Sequence, residues 1–394
     1  MSAWRESALS EVLADATMGF ACGEDVEDGV FQFRMNNITT EGQLDLRKKR
    51  RVPRDYLKME RFFVQPGDVL FNATNSPDLV GKTAFFPGLE EPAVFSNHFL
   101  RLRPRDGDID GRYLTRWLNV QFLRGRFKGM CRQWVNQATV ARDSLLSLPV
   151  PLPPLPEQRR IAAILDKADE LRAKRRAALA KLDNLTQSIF LDMFGDPATN
   201  PKGWPKMPFG EVCDTRLGKM LDQKQQTGEH RRHYLRNANV KWFHFDLADV
   251  FEMDFDEEDR RALRLRPGDL LICEGGEPGR AAVWQGQLEE CYFQKALHRA
   301  RPNEKFAIPE YLCWLLWFLA RGKILTGVTS ATIAHLTGEK LSVLPTLLPP
   351  AELQLKFTEI LRSIQSVAQD QLTELRNLDA LFSSLQHRAF RGEL

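Results

Sequence analysis

The sequence predicts an α+β protein. It has two similar globular domains, each a mixed β-sheet with helices, separated by two long α-helices packed as an antiparallel coiled coil. The first supporting observation is an internal repeat. Residues 148–154 read Leu-Pro-x-x-Leu-Pro-Pro, and residues 344–350 repeat that pattern in the second half of the chain. The second observation is a long amphipathic segment after each copy. These features predict domains at residues 1–152 and 198–347, and spacer helices at residues 153–197 and 348–394.

Each predicted domain contains the same short phrases in the same order. Pro66-Gly67-Asp68 precedes an apolar run and returns as Pro267-Gly268-Asp269, which is typical of a turn that leads into a buried strand. Tyr113-Leu114 with Trp117-Leu118, matched by Tyr311-Leu312 with Leu315-Leu316, has the spacing of a helix packed on a sheet. The segments between these phrases differ, as expected for one framework that presents two different surfaces.

The two long segments are predicted to be helices that pair with each other. The run from Glu157 to Phe194 contains no Gly or Pro, and its apolar residues alternate at spacings of three and four. Both apolar seams become polar at the middle, so antiparallel pairing would bring Arg175 within reach of Glu374 as a buried polar pair. A domain between the two helices favours this antiparallel direction. The predicted pairing residues are Ile161, Ile164, Leu171, Arg175, Leu182, Leu185, Ile189, Phe357, Ile360, Ile364, Glu374, Leu378, Leu381 and Leu385.

Composition excludes several protein classes. The six cysteines are scattered without a Cys-x-x-Cys pair, so neither a disulfide framework nor a structural zinc site is expected. The N-terminus lacks the pattern of a signal peptide, and the most apolar stretch, Tyr311 to Leu319, is too short to span a bilayer. A reduced cytoplasm fits best. The net charge of +3 does not by itself distinguish a nucleic-acid binder from other proteins.

No catalytic site is expected in this chain. Ser76–Thr83 resembles a phosphate-binding loop but lacks the first Gly, and the second copy has neither the Lys nor the Thr. The sequence also lacks the Asn-Pro-Pro-aromatic phrase with which adenine methyltransferases hold a flipped base. We expect no metal ligands and no catalytic residues.

The repeated phrases resemble the specificity subunit of type I restriction–modification systems. The residues that carry the resemblance are 148–158, the helix end at 190–197, and the Pro-Gly-Asp and Asn-β-branched phrases of both halves. The resemblance implies a non-catalytic subunit with two target recognition domains, each of which reads one half of a bipartite sequence in double-stranded DNA. It implies that the paired helices, near 57 Å or roughly 17 base pairs long at ~1.5 Å per residue, set the gap.

The resemblance also implies partners. The helices would dock two modification (methyltransferase) subunits, through which restriction subunits join. S-adenosylmethionine, ATP and Mg would belong to these partners, with no cofactor in this chain and no membrane contact. The location would be the cytoplasm of a bacterium or archaeon. The alternative is a two-headed, non-catalytic scaffold with weak or no DNA specificity, which salt-dependent, sequence-selective DNA binding would distinguish.

Arg, Asn and Gln suit base edges, whereas Lys and hydroxyl groups more often hold phosphates. On that chemistry we predict DNA contacts in both domains. In the first domain they are Arg34, Asn36, Asn37, Arg47, Lys48, Lys49, Arg50, Lys82, Arg132, Gln133, Asn136 and Gln137. In the second they are Gln223, Lys224, Arg236, Asn237, Asn239, Lys241, Arg280 and Thr332.

Overall fold

A computed structural model describes residues 4–55, 60–134, 137–222, 226–322 and 335–394. The chain forms two compact units. Unit 1 comprises residues 1–176 and 373–394, and unit 2 comprises residues 177–372. Each unit therefore includes a part of both long helices. In the described part of the chain, no helix is long and apolar enough to cross a membrane.

Unit 1 is built on three small sheets and a two-stranded ribbon. A four-stranded antiparallel sheet has the order β2-β9-β5-β7, and a three-stranded sheet has the order β4-β3-β8 with β3 and β8 parallel. The others are β10-β11-β6 and β1-β12. The strands are β1 (Arg5–Ala8), β2 (Leu13–Met18), β3 (Val30–Phe33), β4 (Arg51–Val52), β5 (Val69–Asn72), β6 (Thr74–Asn75), β7 (Thr83–Phe85), β8 (Ala93–Phe95), β9 (Phe99–Pro104), β10 (Arg132–Trp134), β11 (Gln137–Thr139) and β12 (Pro149–Leu152). The helices are α1 (Leu9–Val12), α2 (Gly111–Leu123), α3 (Arg126–Met130), α4 (Arg142–Leu146) and the long α5 (Leu155–Phe194), which continues into unit 2.

Unit 2 repeats this plan. Its four-stranded sheet has the order β14-β22-β19-β20, and its three-stranded sheet has the order β18-β15-β21 with β15 and β21 parallel. The strands are β13 (Lys206–Pro208), β14 (Cys213–Leu217), β15 (Arg231–Leu235), β16 (Val240–Lys241), β17 (His244–Phe245), β18 (Phe251–Asp254), β19 (Leu270–Cys273), β20 (Ala281–Val283), β21 (Cys291–Phe293), β22 (Leu297–Pro302) and β23 (Pro345–Leu347). The helices are α6 (Phe209–Val212), α7 (Glu257–Leu263), α8 (Pro309–Arg321), α9 (Gly338–Ser342) and the long α10 (Ala351–Ala389), whose last residues belong to unit 1. The predicted α+β class with two similar mixed-sheet domains is confirmed.

The Pro-Gly-Asp phrase forms the predicted turn in both units. Gly67 has a φ of +98° and Gly268 a φ of +92°, a backbone region that only glycine adopts without steric cost. The Asp68 carboxylate accepts from Gln65 N at 2.7 Å and pairs with Arg103 Nε at 2.7 Å. Asp269 has equivalent partners in unit 2. Each turn therefore leads into a fully buried strand, β5 or β19, with its carboxylate neutralised by an arginine.

The start of each long helix is fixed by a buried glutamine. Gln354 Oε1 accepts from Ile308 N at 2.9 Å, and its Nε2 donates to Pro349 O at 2.9 Å. Gln158 does the same in unit 1, with Asp110 N and Pro153 O. This one side chain satisfies backbone groups that the proline-rich segment leaves without partners of its own, and it ties the helix to the domain.

The two long helices run antiparallel in each unit. In unit 1, Arg172 Nε donates to Asp379 Oδ1 at 2.5 Å, and Arg160, which precedes it, donates to the carbonyl of the last residue, Leu394, at 2.9 Å. In unit 2, the Phe190 and Phe194 rings lie 5.5 and 5.4 Å from Phe357. The predicted antiparallel packing is confirmed, and Arg175 lies 2.5 Å from Glu374 as expected.

Part of the predicted apolar seam is wrong. Leu171, Leu185 and Leu381 are 40%, 46% and 51% exposed. The inward stripe of α5 passes instead through Leu165 and Arg172, because Arg172 pairs with Asp379 and stacks on the Phe382 ring at 4.3 Å. Of the other predicted seam residues, Ile161 and Phe357 are buried, whereas an intermediate exposure is shared by Ile164, Leu182, Ile189, Ile360, Ile364, Leu378 and Leu385.

The polar pair at the middle of the helices was also expected to be buried, and this is wrong. The side chains of Arg175 and Glu374 are 38% and 50% exposed. Water therefore screens their attraction, and the desolvation cost of a buried pair does not arise.

Candidate nucleic-acid interface

The repeated asparagines hold loops inside each unit. Asn37 is buried and donates from Nδ2 to Asp45 O and Lys48 O, both at 2.8 Å. Asn239 is also buried and donates to Asp246 O and Asp249 O, both at 2.9 Å. Because all their polar groups are engaged with backbone, the prediction that Asn37 and Asn239 contact DNA is wrong.

The predicted DNA contact of Lys82 is wrong as well, whereas that of Arg280, whose side chain is 18% exposed, stays a prediction. Lys82 is buried, and its Nζ donates to Met35 O at 3.1 Å and Ile38 O at 2.6 Å. Burial lowers the pKa of Lys82 below its usual range. Arg280 donates to Asn237 O at 3.0 Å in the equivalent place. Both cations support a short 3₁₀ turn, which is Met35–Asn37 in unit 1 and Asn237–Asn239 in unit 2.

The basic block of unit 1 is exposed in part. Arg47, Lys48 and Lys49 are exposed, whereas Arg50 is turned inward and donates to Cys22 O at 2.6 Å. Arg47 binds Asp45 and lowers the pKa of that carboxyl to about 2. The three exposed cations stay candidates for phosphate contact, and the structure makes Arg50 a structural residue.

The remaining predicted residues divide by exposure. Four of them are exposed, namely Arg34, Asn36, Arg132 and Gln137. Arg236 and Lys241 are half-buried, with Arg236 bound to Asp249 Oδ2 at 2.7 Å. The side chain of Gln133 and residues Asn136, Gln223, Lys224 and Thr332 lie outside the described residues.

Unit 2 contains an open cleft of about 470 Å³, of whose lining residues the sequence predicted only Asn237. Asn237 Nδ2 donates to Gly275 O at 2.7 Å and so fixes the loop that follows β19. The His335 ring lies close to Gly275, so that any side chain at this position would press against the ring. The lining residues are Lys219, Leu221, Asn237, Glu274, Gly275, Gly276, Gln294, Lys295, Ala296 and His335.

Glu274 provides the carboxylate of this cleft. Its Oε2 lies 3.8 Å from Nε2 of the buried His298, whose ring nitrogen is hydrogen-bonded to Leu336 O at 3.1 Å. Burial lowers the pKa of His298, so that imidazole is neutral near pH 7 and does not cancel the charge of Glu274. Of the two lysines in the cleft, Lys219 is bound to Asp259, whereas Lys295 has no carboxylate within 4 Å among the described residues.

The same position exists in unit 1 with different side chains. Glu274 N donates to Ala296 O at 3.0 Å, as Ala73 N donates to His98 O at 2.9 Å, so Glu274 corresponds to Ala73 and Lys295 to Asn97. The parallel bridge between Lys219 and Gln294 corresponds to the one between Phe20 and Ser96. An aligned reading of the two halves could have found this difference, because Cys273-Glu274 aligns with Asn72-Ala73.

Comparison with known proteins agrees with this repeated architecture. The family model described as "Type I restriction modification DNA specificity domain" matches residues 3–181. The first half of the chain is therefore similar to the specificity subunits of type I restriction–modification systems. The chain is 25% identical over 391 residues to the EcoKI specificity subunit of Escherichia coli, covering 92% of this chain and 82% of that one.

Other specificity subunits match shorter segments of the chain. The StySPI specificity subunit of Salmonella potsdam is 25% identical over 196 residues, covering 48% of this chain and 42% of that one. The chain thus matches less than half the length of this relative. The crystal structure of the type I S subunit from M. genitalium has the same fold, with a TM-score of 0.60, 14% identity and coverage of 98% and 96%.

Proposed function

We propose that this chain is the DNA sequence-specificity subunit of a type I restriction–modification complex and carries no catalysis of its own. Each domain would read one half of a bipartite target in double-stranded DNA. The observation that carries the proposal is that the two units share one backbone framework but have different side chains at equivalent positions. Asn37 and Asn239, or Asp68 and Asp269, make the same internal contacts, whereas Glu274 replaces an alanine.

The long helices would set the gap between the two half-sites. Helix α5 has 40 residues and α10 has 39 residues. At ~1.5 Å per residue each helix extends about 60 Å, roughly the rise of 17 to 18 base pairs. The domain boundaries that we propose for this arrangement remain 1–152 and 198–347, with spacers 153–197 and 348–394.

The helices would also bind two modification subunits, and restriction subunits would join through these. Support comes from large apolar side chains that each unit leaves exposed on its helices, such as Leu171 and Leu381 in unit 1 and Leu185 and Val367 in unit 2. Such groups are typical of surfaces that a partner covers. S-adenosylmethionine, ATP and Mg would reside in those partners, and the complex would act in the cytoplasm of a bacterium or archaeon, where its DNA target lies.

Competition binding tests the proposal against the scaffold alternative, which the comparisons do not favour. The chain is assembled with its modification subunits, and binding to a duplex that carries the target is measured with and without unrelated competitor DNA, over a range of salt concentrations. A specificity subunit retains the target at a large excess of competitor, since specific affinities exceed non-specific ones by roughly 10³-fold or more. Equal affinity for all duplexes would contradict the proposal.

A further inference from the structure

We propose that the cleft of unit 2 reads one C·G base pair, with Glu274 accepting from the cytosine amino group and Lys295 donating to guanine. This inference rests on the proposed DNA-reading function and names the chemistry of one of its sites. It concerns unit 2 alone.

The Glu274 carboxylate lines the cleft. A negative side chain near the DNA backbone is repelled by phosphates, so Glu274 cannot serve as a backbone contact. A carboxylate is, however, an acceptor for the exocyclic amino group that cytosine presents in the major groove. Among the described residues, no hydrogen-bond donor lies within bonding distance of the Glu274 carboxylate. The acceptor is therefore available to a base.

The two lysines of the cleft differ in their partners. Lys219 is neutralised by Asp259, whereas Lys295 Nζ, within the described residues, donates to the Met220 sulfur at 3.7 Å, a weak acceptor. Lysine donates to O6 and N7 of guanine. Lys295 has three N–H donors, so it can donate to a base besides the Met220 sulfur. An acceptor and such a donor that line one cleft match the donor and acceptor groups that a C·G pair offers on its two bases.

Unit 1 has the same backbone arrangement without these two charged side chains. The backbone hydrogen bonds around Glu274 recur around Ala73, yet the acid and the lysine are replaced by Ala73 and Asn97. A residue needed for folding would be expected in both copies, as Asp68 and Asp269 are. Glu274 and Lys295 therefore belong to what distinguishes the two domains.

The test uses the complete complex of this chain with its modification subunits. Methylation of duplexes is measured for a library in which every position of the target is varied in turn. The variants are Glu274→Gln, Lys295→Met and a control, Glu304→Gln, which removes an equal charge from an exposed residue that does not line the cleft. Thermal unfolding confirms that each variant is folded.

Both cleft variants are expected to reduce discrimination about tenfold at the same C·G pair of one half-site, since a good base contact contributes about that factor. The other half-site and the control should be unchanged. The inference would be overturned if the two variants lost discrimination at two different base pairs, lost it uniformly at all positions, or kept it unchanged. Each of these results would leave the proposed function intact. Absence of any bipartite preference in the unmodified complex would overturn both.

Discussion

Replacing Asn239 with alanine tests whether this residue is a structural side chain rather than a base reader. Asn239 makes three hydrogen bonds to backbone groups, from Arg236 N and to Asp246 O and Asp249 O, each at 2.9 Å. A hydrogen bond contributes about 1 kcal/mol net, so the variant should lose about 3 kcal/mol of stability. For a unit of this size, that corresponds to a fall in Tm of roughly 6 to 12 °C.

Differential scanning calorimetry measures this change, and methylation of a target library measures the base preference. The preference should keep its identity at every position, although overall activity falls with the folded fraction. Asn37→Ala is the matched control, because it removes the same three contacts from unit 1. An unchanged Tm with lost preference at one base pair would refute the structural role and restore the original sequence prediction.

Three further predictions follow from the helices and the basic block. The low pKa of Asp45 is due mainly to its hydrogen bond with the Arg47 side chain, so any stability from this pair is present above about pH 3.9 and is lost as pH falls through about 2. Arg47→Ala should raise the Asp45 pKa in an NMR titration, but not fully to the free value, because the backbone N–H of residue 47 still donates to this carboxylate. Leu171→Glu should leave Tm nearly unchanged, because the side chain is exposed, but should weaken modification-subunit binding in a pull-down titration; a large fall in Tm would contradict this account. Inserting seven residues in both long helices should lengthen the methylated motif's gap by about three base pairs, at ~1.5 Å per residue, with both half-sites unchanged. Altered half-sites would contradict the ruler role.

The repeated parts of the fold were predictable because their causes are local. A glycine that must adopt a positive φ, as at Gly67 and Gly268, marks a turn, and a long run without glycine or proline marks a helix. The seam of the helices was less predictable. The heptad template placed Leu171 inside, but Arg172 takes the inward position through its ion pairs with Asp169 and Asp379, and Leu171 is 40% exposed.

The candidate site was predicted less well than the fold, for a related reason. Asn and Lys at repeated positions have the chemistry of DNA contacts, but the same chemistry suits backbone groups of an irregular loop, and Asn37 and Lys82 serve that purpose. Whether such a side chain faces solvent depends on contacts distant in sequence. Glu274 was not predicted from the sequence, because a single acidic residue in a loop forms no recognisable motif. Its difference from the equivalent Ala73 becomes visible only when the two halves are aligned.

The central claim is that this chain determines which DNA sequence its complex recognises. Single-molecule methylome sequencing of a methylation-free host that expresses the chain with its modification subunit tests it most directly. We predict one bipartite motif with a single fixed gap, which disappears when this chain is omitted. An assembled complex that leaves the genome unmethylated, or that methylates the same motif without this chain, would contradict the claim.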